Sequence, residues 1–294
     1  MSEKKKTVCF KRNKYRDSEF TENDLPLNRR VQFFDIFKND WKTLLLLGVI
    51  LLFSSIPYLT IDVIHWFIVM RLPSQLASNG GTPEMIVQTL KLTEILYEAI
   101  LVPATLIISV PLAGSARVLK RLIHGEGVLF KDDFLQGVAM NVWQYLLIML
   151  IYCILRFLTQ FIHIYTAGIP LVSDISYGIT TGILHIIFVP ILLFMFSQAA
   201  IYKIKFWLNL QNSYKLAFNS ILVMLLFSLV IFGVYYMRYI SNPVLRVGLD
   251  SLLILLSPFY LLLLDLFTIS RFDTYINKEN YPEIYRKGLR PENQ

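Results

Sequence analysis

The chain has 294 residues, 55% of them hydrophobic, and a formal net charge of +7. Soluble domains are usually about 45–50% apolar, so this composition excludes an ordinary soluble protein and indicates a polytopic membrane protein. The basic residues flank apolar runs and form no single patch, so the positive charge does not indicate nucleic-acid binding. The two cysteines lie in unlike surroundings, Cys9 in a polar segment and Cys153 in an apolar run, which argues against a disulfide framework.

The chain begins with a polar, basic region that precedes the apolar runs. Residues 1–32 contain clustered lysines and arginines and little periodic apolar content, which predicts a disordered tail. From Val31 to Lys42, aromatic residues recur at helical spacing among charged residues. This pattern predicts a short amphipathic helix that lies in the membrane interface.

Six apolar segments follow, each long enough to supply the roughly 20 helical residues that a hydrocarbon core requires. They are predicted near residues 43–68, 94–116, 142–165, 175–202, 217–240 and 245–270. The connection Arg71–Glu94 contains glycine and proline, which predicts a loop with one short helix. The predicted fold class is therefore all-α: a six-span transmembrane helical bundle at residues 33–270, followed by a tail at 271–294.

The distribution of lysine and arginine predicts the orientation of these spans. Residues 1–42 hold 11 of these cations, residues 117–131 hold 4, residues 203–215 hold 3 and the region after Ser270 holds 5. The connections on the other side hold only 4. Because lysine and arginine are retained on the inner face, both termini are predicted to be cytoplasmic.

An internal repeat is suggested when the six spans are compared in pairs. An amide–aromatic pattern precedes the first, third and fifth spans, and the other spans carry a proline followed 13 or 14 residues later by a cation. The patterns are NDWK at 39–42, NVWQ at 141–144 and NSYK at 212–215, with Pro103, Pro190 and Pro258 followed by Arg117, Lys203 and Arg271. Two explanations remain open: three duplicated helical hairpins, or selection of these residue types by the interface alone.

Ionisable residues inside membrane spans are costly, so they are the first candidates for a functional site. They are Asp62, Glu98, Arg156, His185, Asp250 and Asp265. Arg156 is predicted to lie deepest and needs a partner, for which Glu98 is the first candidate and His185 the second. These three residues predict an anion-binding or proton-linked site in the outer half of the membrane; the alternative is a structural ion pair. Asp62 and Asp250 are expected nearer the interface.

Catalytic and metal-binding motifs are not evident in the sequence. His65, His163 and His185 lack the paired spacing or cysteine partners that are typical of zinc sites. Phosphate-binding loops, nucleophile elbows and kinase motifs are also absent. We therefore expect no metal, no cofactor and no enzymatic activity.

One segment carries a resemblance to a known family. It contains a proline, small residues, a basic helix end, a Gly-Glu turn and an aromatic–acidic stretch. These residues are Pro111, Ala113, Arg117, Lys120, Arg121, His124, Gly125, Glu126, Phe130, Lys131, Asp133 and Phe134. Together with the opening FFDIFKNDWKTLLLLGVILLFSSIP, they resemble the bacterial YesL-like family of membrane proteins, which carry a domain of unknown function.

The resemblance implies a role and a location. Its members often accompany sugar-uptake systems and sensor kinases, so we expect a noncatalytic accessory or regulatory protein of the bacterial plasma membrane, linked to carbohydrate uptake. Its partners would be the lipid bilayer and a membrane-transport or signalling protein. The expected docking residues are Arg117, Lys120, Arg121, Gly125, Glu126, Phe130, Asp133 and Phe134. The alternative is a small-solute transporter or permease subunit that uses the outer polar pocket.

Overall fold

The computed structural model describes residues 25–167, 169–237 and 240–291, and every regular element within those ranges is helical. The helices pack around one apolar core, which confirms the predicted all-α polytopic bundle. The predicted disordered tail falls mainly on residues 1–24, which lie outside the described residues. Cys9 lies there as well.

The helix bounds follow the apolar runs. The helices are α1 (Arg29–Ser54), α2 (Ile56–Ser78), α3 (Pro83–Ile123), α4 (Phe130–Thr166), α5 (Pro170–Ile183), α6 (Val189–Ile201), α7 (Phe206–Asn219), α8 (Ile221–Tyr236), α9 (Pro243–Phe272) and α10 (Lys278–Asn280). A π-helical turn, Leu184–Phe188, joins α5 to α6, and another, Asp273–Asn277, joins α9 to α10.

Four of the continuous helices are long and apolar enough to cross a membrane, and the number rises to six if each of two bent pairs counts as one span. The first bent pair is α1 with α2, at 49°, and the second is α7 with α8, at 104°. These helices require an apolar solvent on their outer surfaces, so the chain is a multi-pass membrane protein in a lipid bilayer.

Two breaks interrupt the helix in this region, one in the predicted interfacial helix and one in the first predicted span. Asp40 has non-helical angles (φ −121°, ψ 16°), so the kink lies two residues before the end of the predicted interfacial helix. Ser55 then separates α1 from α2, and its hydroxyl donates a hydrogen bond of 2.8 Å to the carbonyl of Leu51. Pro57 follows in the first turn of α2, where the missing N–H is tolerated.

The connection predicted at residues 203–215 is mostly helical. It forms α7, which turns into α8 at Ser220. Gln198 of α6 donates a hydrogen bond of 3.0 Å to the hydroxyl of Ser213, and Asn209 donates one of 3.1 Å to the carbonyl of Met195. These buried bonds hold α7 across the end of α6. The spacing of apolar residues within α7 does not predict this contact, because the partners lie on another helix.

The stretch Arg71–Glu94 is also helical, where the sequence predicted a loop. α2 continues to Ser78 and α3 begins at Pro83, so only residues 79–82 form the turn. Thr82 caps α3, because its hydroxyl accepts a hydrogen bond of 3.3 Å from the N–H of Met85. The proline that suggested a loop instead occupies the first turn of a helix, where it is favoured.

Close packing between α3 and α4 depends on small residues. A side chain at Gly114 would lie 2.7 Å from the ring of Phe134, and one at Gly137 would lie 2.9 Å from the carbonyl oxygen of Ala113. Membrane helices approach this closely only where side chains are absent or very small. The run of small residues around Gly114 therefore fixes how α3 contacts α4.

The predicted three-hairpin repeat gains a structural parallel. α3, α5 and α9, which open the second, fourth and sixth spans, each begin with a proline in the first turn. The aromatic residues of the three short patterns, Trp41, Trp143 and Tyr214, are all exposed. Duplication remains a prediction, since an interface can select both features.

Two ends of the bundle can now be defined. The terminal end is the region where residues 25–35, the turn 124–129 and residues 273–291 meet. The opposite end carries the turn 79–82 and the start of α9. The segments 25–35, 117–131 and 271–291, all predicted to be cytoplasmic, lie at the terminal end.

Candidate functional site

A buried ion pair joins α3 to α4 in the half of the bundle toward the opposite end. Nη2 of Arg156 lies 3.2 Å from Oε1 and 3.1 Å from Oε2 of Glu98. Both residues are buried, with 8% and 3% of their surfaces exposed. The structure therefore brings together the first two residues of the predicted site.

A second charged group lies beside this pair. Arg246 of α9 forms an ion pair with Asp62 of α2, and the hydroxyl of Tyr97 donates a hydrogen bond of 2.6 Å to the same carboxylate. Asp250, one helical turn after Arg246, is buried, and its Oδ1 has no hydrogen-bond partner. Asp62 and Asp250 were expected near the interface, yet both are buried among helices.

Tyr58 lies near both the Arg156–Glu98 pair and the Arg246–Asp62 pair. Its phenol lies within electrostatic range of Arg156, Asp62, Asp250 and Glu98. The resulting set, which we call the charged cluster, contains Asp62, Glu98, Asp250, Arg156 and Arg246. Its buried members therefore include three carboxyl groups and two guanidinium groups.

His65 and Glu94 extend the charged cluster toward the opposite end. Nε2 of His65 lies 3.1 Å from Oε1 of Glu94, and the imidazole ring stacks on Tyr97 with 3.7 Å between ring centroids. Tyr97 thus contacts both Asp62 and His65. This arrangement continues a chain of polar contacts from the membrane-embedded pairs to the more exposed Glu94.

His185, the third predicted site residue, contacts Thr181 of α5 and Phe232 of α8. It lies on the π-helical turn between α5 and α6, and its Nδ1 is 3.0 Å from the carbonyl oxygen of Thr181. Its ring meets Phe232 of α8 edge-on, with 5.1 Å between ring centroids. The π turn, which adds a residue to the helical ladder, is a feature often found at functional positions.

The turn predicted as a docking segment forms ion pairs within the chain. Arg121 contacts Glu126 at 3.1 Å and also forms an ion pair with Asp133, whose second oxygen accepts a 2.7 Å hydrogen bond from the N–H of Leu129. Lys287 reaches Glu126 at 2.8 Å. Three of the predicted docking side chains therefore hold the turn to α4 and to the C-terminal segment.

The other predicted docking residues have mixed surroundings. Gly125 adopts φ +70° and ends α3, and the Nζ of Lys120 lies 3.1 Å from the carbonyl oxygen of Ile201, at the end of α6. Phe130 stacks on Phe134 with 6.1 Å between centroids. Arg117 contacts Gln136 at 2.6 Å on an exposed surface. Lys131 and Asp132, which are not among the predicted docking residues, are exposed between Phe130 and Asp133 at the start of α4.

Residues 281–291, within the predicted tail 271–294, fold back onto the bundle. The amide of Gln32, which is fully buried, donates hydrogen bonds to the carbonyls of Ile123 (2.5 Å) and Gly288 (3.1 Å). Arg29 pairs with Asp273 at 2.8 Å, and the N–H of Arg290 bonds to the carbonyl of Pro26 at 3.0 Å. The two ends of the described chain therefore contact each other.

Two titratable groups in this turn have shifted pKa values. Burial, together with the nearby charges of Lys120 and Lys287, lowers the pKa of His124 to about 4, so the imidazole is neutral at pH 7. Burial acts to raise the pKa of Glu126, but the hydrogen bond and charge of Lys287 outweigh it and lower that pKa. Glu126 is therefore ionised and supports the ion pairs around it.

An apolar cavity of about 420 Å³ lies in the middle of the bundle. Its polar members include Asp265, whose carboxylate accepts a 2.7 Å hydrogen bond from the hydroxyl of Ser197. The hydroxyls of Tyr145 and Tyr260 on its wall donate to main-chain carbonyls of Phe196 and Phe227. Asp265 of α9 is buried against α6 through this bond.

Sequence reasoning missed several residues of these sites. Arg246 was counted among the four cations of the outer connections although it falls at the start of the predicted span 245–270. Arg246 and Asp250 stand one turn apart on a helix, which is a readable signal. Gln32 and Lys287 carry no comparable pattern, because their partners are more than 90 residues away in the sequence. Among the described residues, no group of three or more His, Cys, Asp or Glu side chains is placed to hold a metal ion.

Comparison with known proteins found no match to this chain among protein-family models, curated proteins or solved structures. The resemblance to the YesL-like family therefore remains a prediction based on the residues quoted above.

Proposed function

We propose that the protein is a noncatalytic accessory or regulatory component of a bacterial membrane transport system, linked to carbohydrate uptake, and that its cytoplasmic face docks a partner protein. The main support for the proposal is that ion pairs within the chain already order the terminal end without a partner. Arg121, Glu126, Asp133 and Lys287 connect the turn, α4 and the C-terminal segment. A surface that is ordered before binding loses less conformational entropy when a partner docks.

Two further features support this role. The exposed residues Lys131 and Asp132 lie directly beside the ion pairs, so their positions are fixed relative to the turn. The inner half of the bundle is filled by apolar side chains such as Leu119, Phe194 and Phe272. An apolar interior suits a protein that holds a partner in place better than one that passes a polar solute.

The test is affinity purification after mild detergent extraction from cells grown on several carbohydrates, followed by identification of the copurified proteins. We expect a membrane-transport or signalling protein to be recovered with the wild-type chain. Exchange of the exposed charges, Lys131→Glu with Asp132→Lys, is expected to reduce that recovery at least about fivefold. Exposed charges contribute little to folding, so the thermal stability should change little.

A matched control exchanges two charges at the opposite end, Glu84→Lys with Lys91→Glu, and likewise preserves the net charge. This control should leave the recovery unchanged. Recovery of the wild-type protein alone on every carbohydrate would contradict the proposal. An equal loss in both exchanged variants would also contradict it, since the effect would then not belong to the proposed face.

A second candidate function, a small-solute transporter or permease subunit, is favoured by the composition of the charged cluster. Three buried carboxyl groups face two guanidinium groups, and Oδ1 of Asp250 has no hydrogen-bond partner. An unbalanced negative charge inside a membrane is costly, so a proton or a bound cation must accompany it. Proton-linked or cation-linked solute uptake would use such a site.

Uptake of labelled mono- and disaccharides into proteoliposomes, with an imposed proton or sodium gradient, tests this candidate. Asp250→Asn is expected to abolish gradient-dependent uptake, because it removes the carboxyl group without changing its size. Asp174→Asn, which changes an exposed aspartate near the start of α5, is the control. Unchanged uptake in Asp250→Asn would exclude this use of the charged cluster.

A further inference from the structure

A cavity of about 570 Å³ opens at the terminal end beside the C-terminal segment. Its charged lining consists of Arg29, Arg30, Lys278, Arg286 and Asp273. Small-molecule pockets usually measure about 300–1,000 Å³, so the cavity can hold a small ligand or a lipid headgroup. The four cations come from α1, from α10 and from the folded-back segment.

The single carboxylate in this lining is already occupied. Asp273 accepts hydrogen bonds from Arg29 at 2.8 Å, from the amide of Asn277 at 2.7 Å and from the N–H of Arg286 at 3.3 Å. It therefore balances the charge of Arg29 and orders the segment around it. Among the described residues, the lining supplies no second carboxylate to balance Arg30 and Lys278, so this part of the cavity is positively charged.

Arg286 is held in an unusual backbone conformation. It is the one non-glycine residue with a positive φ, +50°, in the described part of the chain. The left-handed region is costly for a residue with a side chain, and strain of this kind tends to persist at binding sites. Hydroxyl groups of Ser270 and Tyr285 also line the cavity and can donate hydrogen bonds, whereas that of Thr274 donates to the carbonyl of Ser270 at 3.0 Å.

We propose that this cavity binds a phosphate-bearing anion through Arg30, Lys278 and Arg286. Guanidinium groups match the geometry of phosphate oxygens, and a lysine adds a compact positive charge. The phosphate group belongs either to an anionic phospholipid headgroup or to a soluble phosphorylated metabolite. The exposed rings of Phe34 and Phe37 on α1 place the lipid interface close to the cavity. The site does not depend on a docking partner.

Two measurements on the full-length purified protein test the site and separate the two sources. Native mass spectrometry records retention of phosphatidylglycerol against phosphatidylcholine. Thermal unfolding in a neutral detergent records stabilisation by inorganic phosphate and by glucose 6-phosphate against chloride at equal ionic strength. The variant Arg30→Gln with Lys278→Gln is expected to weaken binding about tenfold or more, since each cation near a lipid surface contributes about 1 kcal/mol.

The control is Lys131→Gln with Lys205→Gln, which removes two exposed cations that do not line the cavity. Selective retention of phosphatidylglycerol that is lost only in the cavity variant supports a lipid headgroup. Stabilisation by glucose 6-phosphate that is lost only in that variant supports a soluble metabolite. Absence of both effects in the wild type, or an equal loss in the control variant, would overturn the proposal.

Discussion

Replacement of Arg156 by methionine is expected to lower the free energy of unfolding by about 3–5 kcal/mol, because it leaves the carboxyl group of Glu98 buried without its cation. The ion pair has 3.1 Å between Nη2 and Oε2, and only 3% of Glu98 is exposed. Unfolding in mixed micelles with increasing sodium dodecyl sulfate measures the change. No other single substitution in the charged cluster removes so central a charge.

The double variant Arg156→Met with Glu98→Leu separates a structural pair from a functional one. Removal of both charges together often costs little, so the double variant should regain most of the stability that Arg156→Met loses. If it regains uptake or partner recovery as well, the pair is structural. If it regains stability alone, the pair belongs to the functional site. A double variant as unstable as Arg156→Met would contradict the pairing itself.

Substitution of Gly288 by alanine is expected to detach the C-terminal segment from the terminal end. Gly288 adopts φ +82°, and a Cβ atom there would lie 2.1 Å from the carbonyl oxygen of Ile123. Neither the backbone angle nor that main-chain oxygen can change without moving the segment. Trypsin cleavage after Arg286 or Lys287 should therefore become at least about tenfold faster, because local opening exposes both sites.

Gly80→Ala provides a closely matched control for Gly288→Ala. Gly80 has φ +78°, and a Cβ atom there would meet nothing within 4 Å. It should cost only the roughly 1–2 kcal/mol of the left-handed conformation and leave trypsin cleavage after Lys287 unchanged. Equal cleavage rates in Gly288→Ala and the wild type would show that the segment does not depend on its contact with Ile123.

The parts of the fold that follow from local physical chemistry were predictable from the sequence. Long apolar runs identify membrane helices because lipid forms no hydrogen bonds with backbone N–H and C=O groups, which a helix pairs internally. The partnership of Arg156 with Glu98 follows from the cost of a lone intramembrane charge, which makes a nearby opposite charge the best partner. The first inference uses the immediate sequence surroundings of each residue, and the second uses the adjacency of two consecutive spans, because Glu98 and Arg156 are 58 positions apart.

The features that the sequence did not reveal depend on contacts between distant segments. The 104° bend at Ser220 is set where α7 packs on α6, and Ser220 itself resembles any interfacial serine. The fold-back of Gly288 onto Ile123 and Gln32 joins residues more than 160 positions apart. Arg246 was assigned to an outer connection, but its ion pair with Asp62 of α2 places it inside the bundle. That partner is far away in the sequence, so the sequence around Arg246 does not reveal it.

α3 is longer than a membrane span requires. Its 41 residues extend about 60 Å at 1.5 Å per residue, roughly twice the thickness of a hydrocarbon core. Relative to the predicted span 94–116, α3 extends beyond it by residues 117–123 at the terminal end and by residues 83–93, beside the end of α2, at the opposite end. The helical hairpin around Asn79 therefore projects into water as an arm, and this arm is the part of the protein that a soluble molecule on that side of the membrane would meet first.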